Sequence, residues 1–339
     1  MNALIGLLVI ACGSFCQSSS YVPIKKVKDW SWESFWLIQG VFAWLVFPLL
    51  GSLLGVPHEG SLTELWSAGG AGMSILYGIL WGVGGLTFGL SMRYLGVALG
   101  QSISLGTCAG FGTLLPAIFA GTNLLQGNGL ILLSGVCVTL AGIAVIGYAG
   151  SLRATDMSKN EKRAAVQEFA LTKGLLVALL AGVMSACFAL GLDAGTPIKE
   201  AALAGGVEGL YAGLPVIFLV TLGGFLTNAA YCIQQNLANH TLRDYKQKGV
   251  WTNNLVFCAL AGILWYMQFF GLEVGKSFLT ESPVLLAFSW CILMALNVTF
   301  SNIWGIVLKE WKEVSAKTIG VLITGLAILI FSLVFPNLF

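Results

Sequence analysis

Gly78-Ile-Leu-Trp81-Gly82-Val-Gly84-Gly85-Leu-Thr-Phe88-Gly89-Leu-Ser-Met-Arg93-Tyr94-Leu-Gly96-Val-Ala-Leu-Gly100 joins an apolar helix, repeated small residues and a single Arg. That composition predicts a membrane span, a tight cytoplasmic turn and the start of a second span. The pairs Gly78/Gly82, Gly85/Gly89 and Gly96/Gly100 have the small-xxx-small spacing that lets helix backbones approach closely. In lipid such packing replaces the hydrophobic drive that helices lack there. GxxxG pairs are common in any glycine-rich membrane protein, so the more informative feature is an echo. Gly78-Ile79-Leu80-Trp81 recurs as Gly262-Ile263-Leu264-Trp265 one half-chain later, which points to a duplicated unit with this element near its working centre.

The rest of the composition agrees with lipid as the solvent. Of 339 residues, 57% are hydrophobic and 9% charged, against the ~25% charged of soluble domains, so the chain reads as an all-α polytopic membrane protein. Each of the eight Cys residues lies in an apolar run, which argues against a disulfide framework and for small buried hydrophobes. Val9-Ile10-Ala11-Cys12 resembles a lipoprotein cleavage box, yet no Lys or Arg precedes it, whereas a signal peptide needs a basic start. Met1 to Val22 is expected to be a true first helix.

A span needs ~20 mostly apolar residues. Runs of that kind fall at about 2–22, 34–56, 68–92, 96–120, 128–150, 174–196, 209–236, 251–274, 283–307 and 318–336. The uncharged stretch from Tyr94 to Leu152 is broken by a turn composition at Thr122-Asn123 and Gln126-Gly-Asn128-Gly129, giving ten helices. Alternate loops carry fifteen of the seventeen basic residues, and the opposite side has only Lys199 and Lys276. The positive-inside rule makes the rich face cytoplasmic and places both termini outside.

Five helices per half is an odd number, so a duplicated half must sit upside down relative to its partner. Gly6-Leu-Leu-Val9 matches Gly174-Leu-Leu-Val177, and Pro23-Ile24-Lys25 matches Pro197-Ile198-Lys199. The expected organisation is therefore a first five-helix repeat at 1–150, a cytoplasmic linker at 151–173 and a second, inverted repeat at 174–339. Transporters commonly place substrate near the midplane between such repeats. Within the linker, Asn160 to Glu168 reads as a short surface helix.

Several kinds of chemistry are missing. No soluble stretch is large enough for an ATPase, and Gly271-Leu-Glu-Val-Gly275-Lys276-Ser277 has three residues between its glycines where a phosphate loop requires four. Transport would have to run on a gradient. His58 and His240 fall in loops, and no His/Glu or Cys/His spacing suits a metal, so no catalytic residue, metal or cofactor is expected. Ionisable groups at the spans are reduced to Arg93, Asp193 and Glu273; charges there default to functional hypotheses, with a snorkelling Arg and interfacial carboxylates as the plain alternative.

What the interior offers is neutral polarity beside aromatics. Trp265 and Gln268 share a face of helix 8, Asn297 and Ser301 one of helix 9, and Asn228, Tyr231 and Gln235 a stripe of helix 7, while Gln17 with Ser14 on helix 1 and Gln101 on helix 4 add further groups. Amides both donate and accept, which suits a ligand with several hydroxyls, and an aromatic wall suits the apolar face of a sugar ring. The alternative role for each is hydrogen bonding between helices.

Tyr21-Val-Pro23-Ile-Lys25-Lys26-Val-Lys28-Asp-Trp30-Ser31-Trp32-Glu33, Trp81-Gly82 with Gly89-Leu-Ser-Met-Arg93-Tyr94-Leu-Gly96, Trp265-Tyr266-Met-Gln268-Phe269-Phe270 and Val307-Leu-Lys309-Glu310-Trp311 together resemble the bacterial L-rhamnose-proton symporter family. The matches run in order across nearly the whole chain. The resemblance implies a ten-helix member of the drug/metabolite transporter superfamily in the bacterial inner membrane, importing a deoxy sugar with a proton and performing no enzymatic conversion. The family commonly has Asn at the position of Gly85 and Tyr at that of Phe88, so helix 3 is less polar here. Candidate substrate-binding residues are Trp81, Gln101, Trp265, Gln268, Asn297 and Gln17. The partners expected are a small neutral sugar, a proton and membrane lipid, with no nucleic acid.

Symport of a neutral sugar requires a protein group that takes up and releases a proton, and carboxylates at spans are the candidates. Asp193 ranks first for its apolar, Gly-bearing setting, Ala189-Leu-Gly-Leu192 before it and Ala194-Gly-Thr-Pro197 after it, where desolvation would raise its pKa. Glu273, close to Lys276, ranks second. The rival readings are a drug or metabolite exporter and, from another class, a membrane enzyme or sugar-sensing receptor. Cysteine labelling or reporter fusions are expected to place residues 151–173 in the cytoplasm and Pro336 to Phe339 outside; a cytoplasmic C-terminus would overturn the orientation and the odd-helix repeat together.

Overall fold

A chain embedded in lipid must satisfy each backbone N–H and C=O from within, and an α-helix does so inside one segment. In the computed structural model, which describes residues 2–56, 61–95, 97–156, 170–309, 311–312 and 314–338, ten helices are long and apolar enough to cross a membrane. They are α1 (Asn2–Ile24), α2 (Trp32–Gly55), α3 (Ala71–Leu95), α4 (Leu99–Phe119), α5 (Gly127–Arg153), α6 (Leu171–Ala204), α7 (Leu214–Ala238), α8 (Lys248–Ser277), α9 (Pro283–Val307) and α10 (Ala316–Val334). The chain is a multi-pass membrane protein.

All ten expected spans are present, and the departures lie at their ends. The expected break in the long uncharged stretch occurs between α4 and α5, where Gly121 and Gly127 take positive φ of 79° and 49°, a conformation glycine adopts without steric cost. Helix α6 runs past Pro197 instead of ending before it, because Pro197 occupies the first turn of a further helical segment, Thr196–Ala204, where a missing N–H costs nothing. Helix α7 begins at Leu214 rather than near 209, since the chain turns through residues 205–213. Gly96, His58 and the helix expected over Asn160 to Glu168 lie outside the described residues.

By packing, the chain divides into two units, Met1–Gly82 with Gly191–Phe278, and Val83–Leu190 with Leu279–Phe339. The first holds α1, α2, α7 and α8, the second α4, α5, α9 and α10, and the boundaries fall inside α3 and α6. In the first unit α1 and α8 meet along glycine: a Cβ on Gly13 would lie 2.6 Å from the Met267 carbonyl oxygen, and one on Gly275 2.8 Å from that of Gly6. Helices α3 and α7 are as close, with Gly78 able to bring a Cβ only 3.1 Å from the Gly223 Cα and Gly82 2.7 Å from the Thr227 Cβ. The close-approach role expected of Gly78 and Gly82 is thus met. Gly85 and Gly89 instead have no neighbour within 4 Å of a Cβ position.

In the second unit Gly142 of α5 meets Leu329 of α10, and Gly325 of α10 meets Ile146 of α5. Trp290 of α9 lies against Gly112 of α4, stacks on Phe188 at 5.8 Å and donates its indole N–H to the Cys108 carbonyl at 3.3 Å. Ser104 Oγ of α4 donates to the Ala178 carbonyl of α6 at 3.1 Å. All eight cysteines are free thiols.

The start of α2 is held by an acidic residue from the α7–α8 connection. Asp244 accepts hydrogen bonds at Oδ2 from the Ser31 backbone N–H (2.8 Å), Ser31 Oγ (2.7 Å) and Ser34 Oγ (2.9 Å). A carboxylate at a helix N-terminus satisfies orphan donors and complements the helix dipole. Burial alone would raise the Asp244 pKa, but the bonds from Ser31 and Ser34 and the Arg243 charge outweigh it and hold the carboxyl below its ordinary value. A depressed folded-state pKa contributes stability that is present above the unfolded value of ~3.9 and lost as pH falls below it. Asp244→Ala, which leaves the Ser31 N–H unpaired, is expected to cost about 1–3 kcal/mol. Thermal unfolding in detergent should show a lower Tm for the variant at neutral pH and a gap that narrows below pH ~4; equal Tm values at pH 7 would show that the cap does not stabilise α2.

Candidate functional site

In the first unit, the two Gly-Ile-Leu-Trp segments deliver their tryptophans to one place. Gly78 seats α3 on α7 at Gly223, and Gly262 seats α8 on α2, where a Cβ would lie 2.7 Å from the Phe42 Cβ and 3.0 Å from the Ala43 nitrogen. Three residues beyond each glycine, Trp81 and Trp265 bring their rings to 5.8 Å between centroids with planes tilted by 36°. Both are half-buried. Phe269, one turn from Trp265, meets it edge-on at 5.2 Å.

Gln268 lies on the same helix and is 4% exposed. Its Nε2 donates to the Trp265 carbonyl at 3.1 Å, and α1 packs over its Cα through Gly13. On α1, Gln17 is half-buried and accepts from Ser18 Oγ at 3.3 Å, while Ser14 Oγ is buried without a hydrogen-bond partner among the described residues. Trp81, Trp265, Gln268 and Gln17 all belong to the first unit. Gln101 on α4 and Asn297 on α9 are half-buried residues of the second.

The stripe expected on α7 divides. Asn228 is buried, accepting from Trp36 Nε1 at 3.2 Å and donating to the Gly224 carbonyl at 2.9 Å. Tyr231 is exposed and accepts from Gln235 Nε2 at 3.2 Å. Asn228 therefore works between helices, the alternative role expected of such amides.

The two carboxylates have unlike settings. Glu273 on α8 is 4% exposed and paired with Lys199 of α6, and Gly213 lies directly against its side chain. Lys276, half-buried, feels the charges of Glu273, Lys199 and Asp193. Asp193 itself is exposed, and its backbone carbonyl accepts from Thr196 Oγ1 at 2.7 Å. The desolvated setting that sequence composition implied at Asp193 is found at Glu273.

Two aromatic residues escaped the sequence reading. Trp36 and Trp44 of α2 meet at 5.8 Å, and Trp44 meets Trp81 at 6.0 Å and Trp265 at 5.8 Å. Their spacing of eight residues puts them about 12 Å apart along a regular α-helix, so residue order carried no signal that their rings meet. A groove of about 720 Å³ lies elsewhere, in the second unit between α4 and α5, and is lined by Leu99, Phe111, Leu115, Leu140 and Tyr148 among others. It is almost wholly apolar and holds none of the candidate residues; the aromatic and amide cluster of the first unit, where Trp81, Trp265 and Gln268 meet, is the candidate site.

Among the described residues no group of His, Cys, Asp and Glu is arranged to hold a metal. Ten apolar helices packed through glycine, with amides and tryptophans inside, define a polytopic membrane protein of the carrier class. The family of the L-rhamnose-proton symport protein matches residues 1–337. Proteins described as L-rhamnose-proton symporters from Yersinia pestis (strain Pestoides F) and Yersinia pseudotuberculosis serotype O:3 (strain YPIII) are each 35% identical to this chain over 337 residues, covering 97% of it and 96% of the relative. The chain belongs to the L-rhamnose-proton symporter family, whose members are named as transporters and not enzymes.

Proposed function

We propose that this protein imports L-rhamnose, or a closely related deoxy sugar, together with a proton across the bacterial inner membrane. Family membership over 337 residues carries this reading. The tryptophan pair with a buried amide beside it supports it, because a sugar presents an apolar face for stacking and hydroxyls for an amide. Sugar would bind at Trp81, Trp265, Gln268 and Gln17 of the first unit, and Gln101 and Asn297 are further candidates within the second unit.

The architecture is read as two inverted five-helix repeats of the drug/metabolite transporter fold, at 1–150 and 174–339, joined by the cytoplasmic linker 151–173, with both termini periplasmic. Equivalent helices would then be α1 and α6, α2 and α7, α3 and α8, α4 and α9, and α5 and α10; the pairs α2–α7, α4–α9 and α5–α10 each fall in a single packing unit, while the unit boundaries run through α3 and α6. Gly78 seats α3 on α7 as Gly262 seats α8 on α2, the exchange that an inverted repeat would produce. The fifteen-to-two split of basic residues supports the orientation.

Proton coupling is assigned to a carboxylate at the end of the spans far from the basic loops, Asp193 or Glu273, and burial favours Glu273. It lies five residues beyond Gln268, about 7.5 Å along the helix axis. Protonation would cancel the Glu273 charge and release Lys199, and deprotonation would restore the pair.

Counterflow of labelled L-rhamnose in proteoliposomes tests the function: saturable exchange with no chemical conversion is expected, and its absence would sink the proposal. Gln268→Ala should weaken sugar binding by one to two decades in Kd, the ~1–3 kcal/mol lost when a ligand hydroxyl is left unpaired, and unchanged calorimetric affinity in a folded variant would return Gln268 to a packing role. Glu273→Gln should abolish pH-driven accumulation yet permit exchange, with Asp193→Asn retaining both. Accumulation lost in Asp193→Asn but kept in Glu273→Gln would transfer the coupling role to Asp193.

A further inference from the structure

Helix α2 is not a uniform α-helix. Trp32–Gly40 and Phe47–Gly55 are α-helical, but Val41–Val46 between them forms a π-helical turn, closed by the Phe47 N–H bonding back to the Phe42 carbonyl. Such turns are rare and concentrate at functional sites, since a widened turn re-aims the side chains beyond it. Pro48, two residues beyond the turn, has no N–H to give the Trp44 carbonyl and its ring crowds that oxygen, and the backbone of α8 crosses here, with Gly262 against Phe42 and Ala43.

The widened turn aims Trp44. Its six-membered ring lies over Gly40, where a Cβ would stand 2.7 Å from Cε3 and from Cζ3. The plane of Trp44 is at 90° to that of Trp81 and at 83° to that of Trp265. One buried ring thus makes perpendicular contacts with both half-buried ones, and edge-to-face contact between aromatic rings has a preferred geometry and a measurable strength. Trp44 is 5% exposed, and its Nε1 is buried with no hydrogen-bond partner among the described residues. Polar atoms left in that condition call for an explanation. The contacts the ring makes here run through its planes and edges and not through its donor.

We propose that Trp44 is a positioning residue for sugar binding: aimed by the π-turn and seated on Gly40, it fixes the mutual tilt of Trp81 and Trp265 and so preorganises the stacking surface. The proposal rests on the sugar site proposed above. A stacking surface whose two rings are already set at their working angle loses less freedom on binding than one whose rings must be ordered by the ligand.

Two variants approach Trp44 from different sides. Trp44→Leu removes the ring. Gly40→Ala keeps it, adds a residue that favours helix, and forces the ring off its seat. Each is expected to lower L-rhamnose affinity by calorimetry about tenfold and to diminish the circular-dichroism couplet of the packed tryptophans in the sugar-free protein, while Trp44→Phe, which keeps an aromatic ring without the N–H, retains most of the affinity. Trp44→Phe falling as far as Trp44→Leu would overturn the proposal by making the N–H the working group. Affinity unchanged in Gly40→Ala with its couplet diminished would overturn it as well. Wild-type protein that binds no L-rhamnose would overturn the functional reading and this one with it, whereas wild-type binding unaltered by Gly40→Ala and Trp44→Leu would overturn the positioning role alone.

Discussion

Close backbone approach at glycine is the contact on which the rest of the first unit depends. Lipid tails are as apolar as Leu, so burying leucine against leucine gains little between helices in a membrane, and dispersion at short range must supply the attraction. Gly13 on α1 admits the backbone of α8, Gly78 and Gly223 admit each other, and Gly262 admits α2. Each seat also fixes a side chain of the candidate site, because Gln268 lies beneath Gly13 and Trp81 and Trp265 follow Gly78 and Gly262 by three residues.

Polar groups inside the unit fall into two kinds. Some join helices: Asn228 receives the Trp36 indole N–H, and Asp244 receives the first donors of α2. Others, such as the buried Oε1 of Gln39 and Oγ of Ser14, have no hydrogen-bond partner among the described residues. Leaving such atoms unpaired costs about 1–3 kcal/mol each, and a carrier whose ligand brings hydroxyls has a use for them that a purely structural core does not.

Charge is confined with equal economy. Glu273 and Lys199 form an ion pair whose carboxylate is nearly sealed and whose ammonium is about one-third exposed. Removing one partner from such a pair leaves an uncompensated charge in a poor solvent, so the pair holds the acid ionised until a proton neutralises it, and Lys199 then loses its partner. The coupling role proposed for Glu273 rests on that linkage between the acid's protonation and the pairing of Lys199.

Much of this was legible in the residue order. The period and length of the apolar runs placed ten helices, because lipid permits hardly any other backbone for a continuous apolar chain, and the Gly-Ile-Leu-Trp echo marked the two tryptophans that meet. Gln268 was legible as well, by its three-residue spacing from Trp265. Residue order could not reveal that Asp193 is exposed and Glu273 buried, since both stand in apolar company along the chain and only the packing of α6 and Gly213 seals one of them. Nor could it place Trp44, which on a regular helix stands eight residues, about 12 Å, along the axis from Trp36. The sequence by itself determined the spans, their number and the two tryptophans that meet. Tertiary structure decided which rings the π-turn of α2 brings together: Pro48 marks the local break in the helix, but Trp265 and the Gly262 backbone that lie against the turn are brought there from more than two hundred residues away.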